Sequence, residues 1–529
     1  MIRSICIAVC SFAVAIPTAV SHASEAGAAL ETARDSISAG ELHDYVEDLA
    51  DDIFEGREAG SRGGRAAAAL IRKRLAELGL APAGSDGDYY QPFGNGYRNI
   101  IAKLEGSDPE LKGQHILLGA HYDHVGYGAP SNSYGPFGYI HNGADDNASG
   151  IASLLEVAEA LTQLETPPKR SILIAFWDAE EKGLLGSEHW IDRPTVPRGS
   201  LRFAMNADMV GRLRDNRLEI YGVRTGHGIR RLLAAHNESI GLRLDFTWEL
   251  KPNSDHWTFL SHNVPVVMFH TGLHDNYHRP SDDAHLVNDD GMQTVARFML
   301  QNVVGLASAP SLPTFRREGR GETEGTRRNL ERRSPPSPPR LGVTWAPESE
   351  RAQASDESVV VTQVRPGSPA DRAGLRPGDR IIRLAGQPTP DGDALLAATL
   401  AAPVQPVTIA FERTGESEPL ERTLSLAGGP VRVGISWRAD PAEPAMMLIT
   451  SVVPGSPAAR AGLAALDRIY AVNGVDVAGS DQLRDALLGG ASPVTLHVER
   501  HGQLRTVEVE ALPQAAPAAA PDESRPSGE

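Results

Sequence analysis

Between Arg98 and Gly305 the chain alternates short apolar runs with stretches whose apolar residues recur every three or four positions. The runs Asn99–Leu104, His115–Ala120, Ser171–Phe176, Arg202–Asn206, Leu218–Tyr221 and Val264–His270 have the length and continuity of strands covered on both faces. After Ser149 the residues Ile151, Leu154, Leu155, Ala158 and Leu161 form one helical stripe, with Ser149 placed to cap it. Further helices are predicted over Gly228–Ile240 and Met292–Leu306. Upstream, ELHDYVEDLADDIFEGRE reads as helical and is followed by a Gly-rich turn at Gly60–Gly64. In AAAALIRKRLAELGL the residues Leu70, Ile71, Leu75 and Leu78 share a face, and Gly79 supplies the stop. Strands alternating with helices predict an α/β fold, a mostly parallel mixed sheet sandwiched by helices.

The pattern breaks at Phe315. Residues 315–340 are rich in Arg, Glu and Gly and end in SPPSPPR, which predicts a solvated tether with a stiff proline segment. Beyond it the chain repeats itself. TQVRPGSPADRAGLRPGDRIIRLAGQ from Thr362 is matched by TSVVPGSPAARAGLAALDRIYAVNGV from Thr450, and LGVTW at Leu341 by VGISW at Val433. A repeat of about ninety residues is a domain-sized unit and too long for a solenoid repeat. The boundaries expected are a leader over 1–23, a first domain over 24–310, a flexible linker over 311–340, repeats over 341–428 and 429–512, and a disordered tail over 513–529.

Composition narrows the function classes. A length of 529 residues calls for about three domains. The formal net charge of -17 argues against a general nucleic-acid binder, which needs a basic face. Arg3, the apolar run from Ile5 to Val20 and Ser21-His22-Ala23 have the layout of a secretory signal peptide cleaved after Ala23, so export is expected. No stable membrane span is expected after cleavage. Cys6 and Cys10 both lie in the leader, so any metal in the mature chain must be held by His, Asp and Glu.

Such residues gather at strand ends and Gly-rich turns: His121 in GAHYDH, Asp146 in GADDNASG, Glu180-Glu181 in WDAEEKGLLGS, Asp208 in NADMVGR and His278 in NYHRPSDD. In an open parallel sheet ligands bind beyond the carboxyl ends of the strands, so these segments can converge. Imidazole and carboxylate together suit zinc. Adjacent side chains in an extended or turn segment diverge, so one of Glu180 and Glu181 can ligate while the other faces a metal-bound water as a base. Asp123 is placed to accept the second imidazole N–H of His121 and fix the ring.

Taken together, GAHYDH, GADDNASG, EEKGLLGS, NADMVGR and YHRPSDD resemble the five motif blocks of the secreted co-catalytic zinc aminopeptidases. That superfamily also contains glutamate carboxypeptidase, glutaminyl cyclase and the transferrin receptor. The resemblance runs from Gly40 to Ala307 and includes FEGREAGSRGGR and YYQPF. It implies a phosphorylase/zinc-exopeptidase-like sheet and two zinc ions bridged by Asp146 and a water. His121 and Asp208 would complete one ligand set, and Glu181 and His278 the other. It further implies Glu180 as general base, Tyr277 as oxyanion donor, a cis peptide at Asp146-Asn147, and a supporting role for Ser254-Asp255-His256. The activity implied is removal of N-terminal residues from peptide or protein substrates. Carboxypeptidase and cyclase chemistry on the same fold are alternatives, the former needing an arginine pocket for which Arg212 and Arg279 are candidates. An inactive binding scaffold is another, though no ligand position has been lost.

The repeats, through PGSPADRAGLRPGD and PGSPAARAGL, resemble bacterial PDZ domains. The resemblance implies two small β-rich modules whose loops at Leu341-Gly342-Val343 and Val433-Gly434-Ile435 capture peptide C-termini, the peptide adding a strand. The second repeat has Ala464-Ala465-Leu466-Asp467 where the first has Arg376-Pro377-Gly378-Asp379, which loosens a turn.

Overall fold

The computed structural model describes residues 19–248, 250–335, 339–346, 358–489 and 492–513, with side chains from 27 onward. Most of the expected leader and nearly all of the expected tail lie outside the described residues, as do prolines 336 and 338 of the linker. No described helix is long and apolar enough to cross a membrane. The chain divides into two compact units, residues 1–225 with 239–320, and residues 226–238 with 321–529.

The first unit is built on one sheet. Its strands are β1 (Ala81–Pro82), β2 (Tyr90–Phe93), β3 (Tyr97–Leu104), β4 (His115–His121), β5 (Ser171–Trp177), β6 (Leu201–Ala207), β7 (Arg217–Tyr221), β8 (Arg243–Phe246) and β9 (Val266–His270). They run in the order β1-β3-β5-β4-β6-β9-β7-β8, with β2 pairing β3. The pairs β4/β5, β4/β6, β6/β9 and β7/β8 are parallel, while β3/β5 and β7/β9 are antiparallel. Every residue of β4, β5 and β9 is buried, which is why these strands appear in sequence as unbroken apolar runs.

Helices cover the sheet: α1 (Ala19–Ser36), α2 (Ala39–Leu49), α3 (Arg62–Glu77), α4 (Gly150–Thr162) and α5 (Leu185–Asp192) precede α6 (Ile229–His236) of the second unit, and α7 (His256–Ser261) and α8 (Asp289–Ser308) follow. Helix α4 buries Ile151, Leu154, Leu155, Ala158 and Leu161 as its stripe predicts. Each fully buried leucine or isoleucine contributes about 1.5–3 kcal/mol. The predicted cap is different. Ser149 has helical φ/ψ, and its hydroxyl donates to Asp145 O at 2.7 Å and accepts from Val210 N–H at 3.0 Å, so it ties two turns together.

The linker expectation is also corrected. Arg316 donates to Arg224 O at 2.7 Å, and Arg320 donates to the carbonyls of Leu260 and Ser261 at 2.8 and 2.6 Å, which hold this segment in the first unit. In the second unit α9 (Glu324–Leu330) starts from a Thr323–Thr326 capping box, and Glu331 just after it pairs with buried Arg468 at 2.9 Å. Arg316 and Arg320 of this segment thus find carbonyls, and Arg327 pairs with Glu331 at 2.9 Å.

Residues 226–238, expected in the first domain, belong to the second unit. The Arg230 guanidinium of α6 grips buried Glu499 with two bonds of 2.8 and 3.0 Å, and Gly228 N–H donates to Ala442 O.

The rest of this unit is two similar six-stranded sheets. The first comprises β10 (Val343–Trp345), β11 (Val359–Val364), β12 (Arg380–Leu384), β13 (Gln387–Pro388), β14 (Val407–Glu412) and β15 (Leu420–Leu424), with helices α10 (Pro369–Arg372) and α11 (Gly392–Ala401). The second comprises β16 (Ile435–Asp440), β17 (Glu443–Val452), β18 (Arg468–Val472), β19 (Val475–Asp476), β20 (Val494–Arg500) and β21 (Gln503–Val509), with α12 (Pro457–Arg460) and α13 (Ser480–Gly489). Each has its own core, around Ile381, Ile409 and Phe411 in one and Ile469, Leu496 and Val498 in the other. The turn that differs between repeats keeps its conformation: Gly378 has φ 91°, and Leu466 takes φ 79° in its place, a backbone that side chains rarely adopt.

Candidate metal centre

The parallel strands β5, β4, β6 and β9 deliver their carboxyl ends to one rim of the sheet, where Gly119 pairs with both Ala175 and Asn206. His121 is the last residue of β4 and Asp208 comes directly after β6. Glu180 and Glu181 follow β5 by a short turn, with Ala179 at φ 59°. Asp146 sits in the turn that opens α4, preceded by Gly143 at φ 59° and followed by a cis peptide to Asn147. His278 comes from the loop after β9.

These six side chains and Tyr277 line one cavity of 390 Å³. Asp146 stands at its centre. Its Oδ1 is 3.4 Å from His121 Nε2, and its Oδ2 is 3.0 Å from His278 Nε2. On one side His121 Nε2 lies 3.3 Å from Asp208 Oδ1; on the other His278 Nε2 lies 3.2 Å from Glu181 Oε1. Two candidate ligand groups share Asp146: His121, Asp146 and Asp208 form one, and His124, Asp146, Glu181 and His278 form the other.

Glu180 and Glu181 diverge as neighbours in a turn must. Glu181 joins the histidine group, while Glu180 lines the cavity outside both groups. Asp123 is not where the sequence puts it. His121 Nδ1 faces the main-chain carbonyl of Asp123 at 3.1 Å, with the carboxylate 4.0 Å away. The carboxylate instead accepts the N–H groups of Glu180 and Glu181 at 2.9 and 3.3 Å, so Asp123 shapes the Glu-Glu turn.

Electrostatics set the two glutamates apart. Burial, with Glu181 adjacent, holds Glu180 well above the usual carboxylate range despite the pull of His121. Burial opposes the charge of Glu181 too, but hydrogen bonds from His124 and His278 hold it well below that range. Burial works against charging His278, yet Asp146 and Glu181 push it up to about 11. His121 is likewise held well above its ordinary value, against burial, by Glu180 and Asp208. Carboxylates that push both imidazoles upward make a pocket that favours positive charge, and its donor atoms are the nitrogens and oxygens zinc accepts. Tyr277 stacks on His278 with centroids 3.9 Å apart, and burial, then Asp146, raises its phenol far above the ordinary value.

Three supports were not legible in the sequence. Arg57 is fully buried and donates to the carbonyls of Leu49, Asn142, Gly143 and Tyr122 at 2.7, 2.6, 2.8 and 3.1 Å. It joins the turn before Asp146 to the segment after His121; within FEGREAGSRGGR it reads as one arginine among several. The Asn147 amide donates to His121 O and Ala207 O and accepts from Met209 and Gly150 N–H, linking the ends of β4 and β6. Asp282 Oδ2 accepts the N–H groups of Asp145 and Asp146 at 2.9 and 3.1 Å. Of the Ser254-Asp255-His256 block, Ser254 accepts from Asn206 Nδ2 at 2.8 Å, and all three are buried. Arg212 and Arg279, the candidates for a carboxylate pocket, are engaged elsewhere. Arg212 pairs with Asp282 at 2.9 Å, Arg279 donates to Tyr134 O, and neither lines the cavity.

Residues 99–303 match the model for peptidase family M28, and residues 360–413 and 448–500 each match the PDZ domain. Leupeptin-inactivating enzyme 1 of Streptomyces exfoliatus is 27% identical over 169 residues, 32% of this chain and 34% of that protein. Aminopeptidase Y of Saccharomyces cerevisiae is 28% identical over 233 residues, 40% of this chain and 39% of that one. The chain thus spans less than half the length of these relatives. Among solved structures, the LapA aminopeptidase of Legionella pneumophila superposes with a TM-score of 0.44 at 20% identity, covering 55% of this chain and 76% of that one.

Proposed function

From a chain that carries a family M28 peptidase domain followed by two PDZ domains, we propose an exported zinc aminopeptidase that works with two ions. The observation that carries this reading is the position of Asp146, within 3.4 Å of an imidazole on each side. His121, Asp146 and Asp208 would hold one ion; Asp146, Glu181 and His278 would hold the other. Bound there, the ions supply Lewis-acid polarisation of a peptide carbonyl and a water acidic enough to attack near neutral pH.

The chain's own residues do the remaining work. Glu180, held above the carboxylate range by burial, takes the proton of the attacking water and returns it to the leaving amine. Tyr277, whose phenol burial and Asp146 raise above its ordinary value, donates a hydrogen bond to the oxyanion of the tetrahedral intermediate. Glu180 lines the cavity outside both ligand groups and, among the described residues, the lining holds no lysine or arginine, which favours a substrate amine over a substrate carboxylate. Leu184, Met209 and Leu273 on the same wall suit an apolar N-terminal side chain.

Metal analysis combined with a panel of aminoacyl amides tests this. Two zinc ions per chain and cleavage of free-amine substrates with N-acetylated ones left intact are expected. Cleavage of N-blocked peptides from the carboxyl end would overturn the reading.

The PDZ modules, in the same proposal, hold peptide C-termini. A cavity of 370 Å³ is lined by Leu341, Gly342 and Val343 and by Leu396 and Leu400 of α11 in the first module, and by Val453 and Pro454 of the second. Peptides ending in a free carboxylate should bind and their amidated versions should not.

A further inference from the structure

The two ligand groups are unequal, and the difference is His124. Its ring is fully buried, and its Nδ1 lies 2.9 Å from Glu181 Oε1 and 3.8 Å from Asp146 Oδ2. With His278 Nε2 3.0 Å from Asp146 Oδ2 and 3.2 Å from Glu181 Oε1, four donor atoms from four side chains face one point. Bonds to zinc of about 2.0–2.2 Å set the corners of a tetrahedron about 3.4 Å apart, and the four separations fall around that value. The group on the other side of Asp146 offers three side chains among the described residues.

The ring is held for this task. His124 N–H donates to Arg57 O, and residues 58 and 124 form a parallel β-bridge, so the segment carrying Arg57 also fixes the His124 backbone. A side chain at position 143 would meet the imidazole, since a Cβ on Gly143 falls 2.5 Å from His124 Cδ2. His278 meets the ring edge-on with centroids 5.5 Å apart. His124 Nε2 has no hydrogen-bond partner among the described residues, so the polar contacts of the ring are those its Nδ1 makes with the cluster.

We infer that His124 is a fourth protein ligand of the ion shared by Asp146, Glu181 and His278, which encloses that ion and leaves the His121–Asp146–Asp208 ion as the one with room for substrate. The inference rests on the two-ion reading above. A hydrogen bond from His124 to Glu181 would need one contact; an Nδ1 facing two carboxylates beside a second imidazole nitrogen is the arrangement of a ligand. Closed four-ligand zinc sites are structural in character, while catalytic ones keep a position open.

The test is zinc affinity of the full chain, measured by competition with a chromophoric chelator, for wild type, His124→Ser and His124→Asn. Asparagine can still donate to Glu181 and guards against misfolding of the serine variant. Both variants should bind one zinc within threefold of wild type and the second at least a hundredfold more weakly. X-ray absorption of the wild-type holoprotein should require three imidazoles over the two ions. If both ions bind the two variants as tightly as wild type, or if asparagine restores the affinity that serine loses, His124 positions Glu181 and the inference fails alone. If wild type binds fewer than two zinc ions, the two-ion reading fails and takes this inference with it.

Discussion

The main-chain N–H of Asp146 donates to the Asp282 carboxylate at 3.1 Å. That carboxylate oxygen also takes the N–H of Asp145, while the other pairs with Arg212 at 2.9 Å. The shared aspartate is therefore aimed from behind by a buried acid that faces no substrate. Asp282→Ala should weaken zinc binding about 10–100-fold, the usual effect of removing an outer partner of a metal site. Chelator competition measures it, and unchanged affinity would mean the turn holds its shape without Asp282.

Glu180 lines the cavity but belongs to neither ligand group. Glu180→Gln should leave zinc content at the wild-type level and lower kcat by about 10²–10⁴-fold, the range for a lost general base. Metal analysis and turnover on one preparation separate the two effects. A variant that kept its turnover would remove Glu180 from the reaction.

Arg57→Met removes the donors to four carbonyls at once. Three of these bonds, to Leu49, Tyr122 and Gly143, are buried, and each acceptor left without a donor costs about 1–3 kcal/mol, so a loss of at least about 3 kcal/mol is expected in the first unit. Hydrogen exchange of β4 and β5 reports it free of the second unit. Protection equal to wild type would show that solvent replaces the guanidinium.

Glu156 on α4 is buried beside Glu41 and Glu159, and burial pushes its carboxyl up to about 7 although Ser38 N–H donates to it at 2.9 Å. The folded chain thus binds a proton that the unfolded chain releases from about 4.5 upward. Between these values the unfolded state holds fewer protons, so stability falls as pH rises. Tm of wild type should decline from pH 4.5 to 7 relative to Glu156→Gln, and the gap should stay constant above. Parallel melting curves for the two proteins would contradict this.

How much the sequence revealed follows from how each signal is carried. The central strands were legible because strands covered on both faces must be continuously apolar, as HILLGAH and SILIAFW are. The short strand β1 is exposed and β2 and β8 are only partly buried, so none left such a run. The candidate ligand positions could be read because four lie at or just after a strand end, one in a Gly-rich turn and His278 in the loop that follows β9. Arg57 and Asp282 could not, because their value comes from carbonyls and N–H groups of segments remote in sequence. The two main corrections, Asp123 and the 311–340 segment, share one cause. In both, main-chain groups took the hydrogen bonds that side-chain reasoning had assigned elsewhere.

The account depends on Asp146 touching two ions in one cavity. Anomalous scattering at the zinc edge, from crystals of the holoprotein, tests that directly. Two peaks about 3.5–4 Å apart, one on each side of the Asp146 carboxylate, are predicted. A single peak, or two peaks of which one lies beyond reach of Asp146, would contradict it.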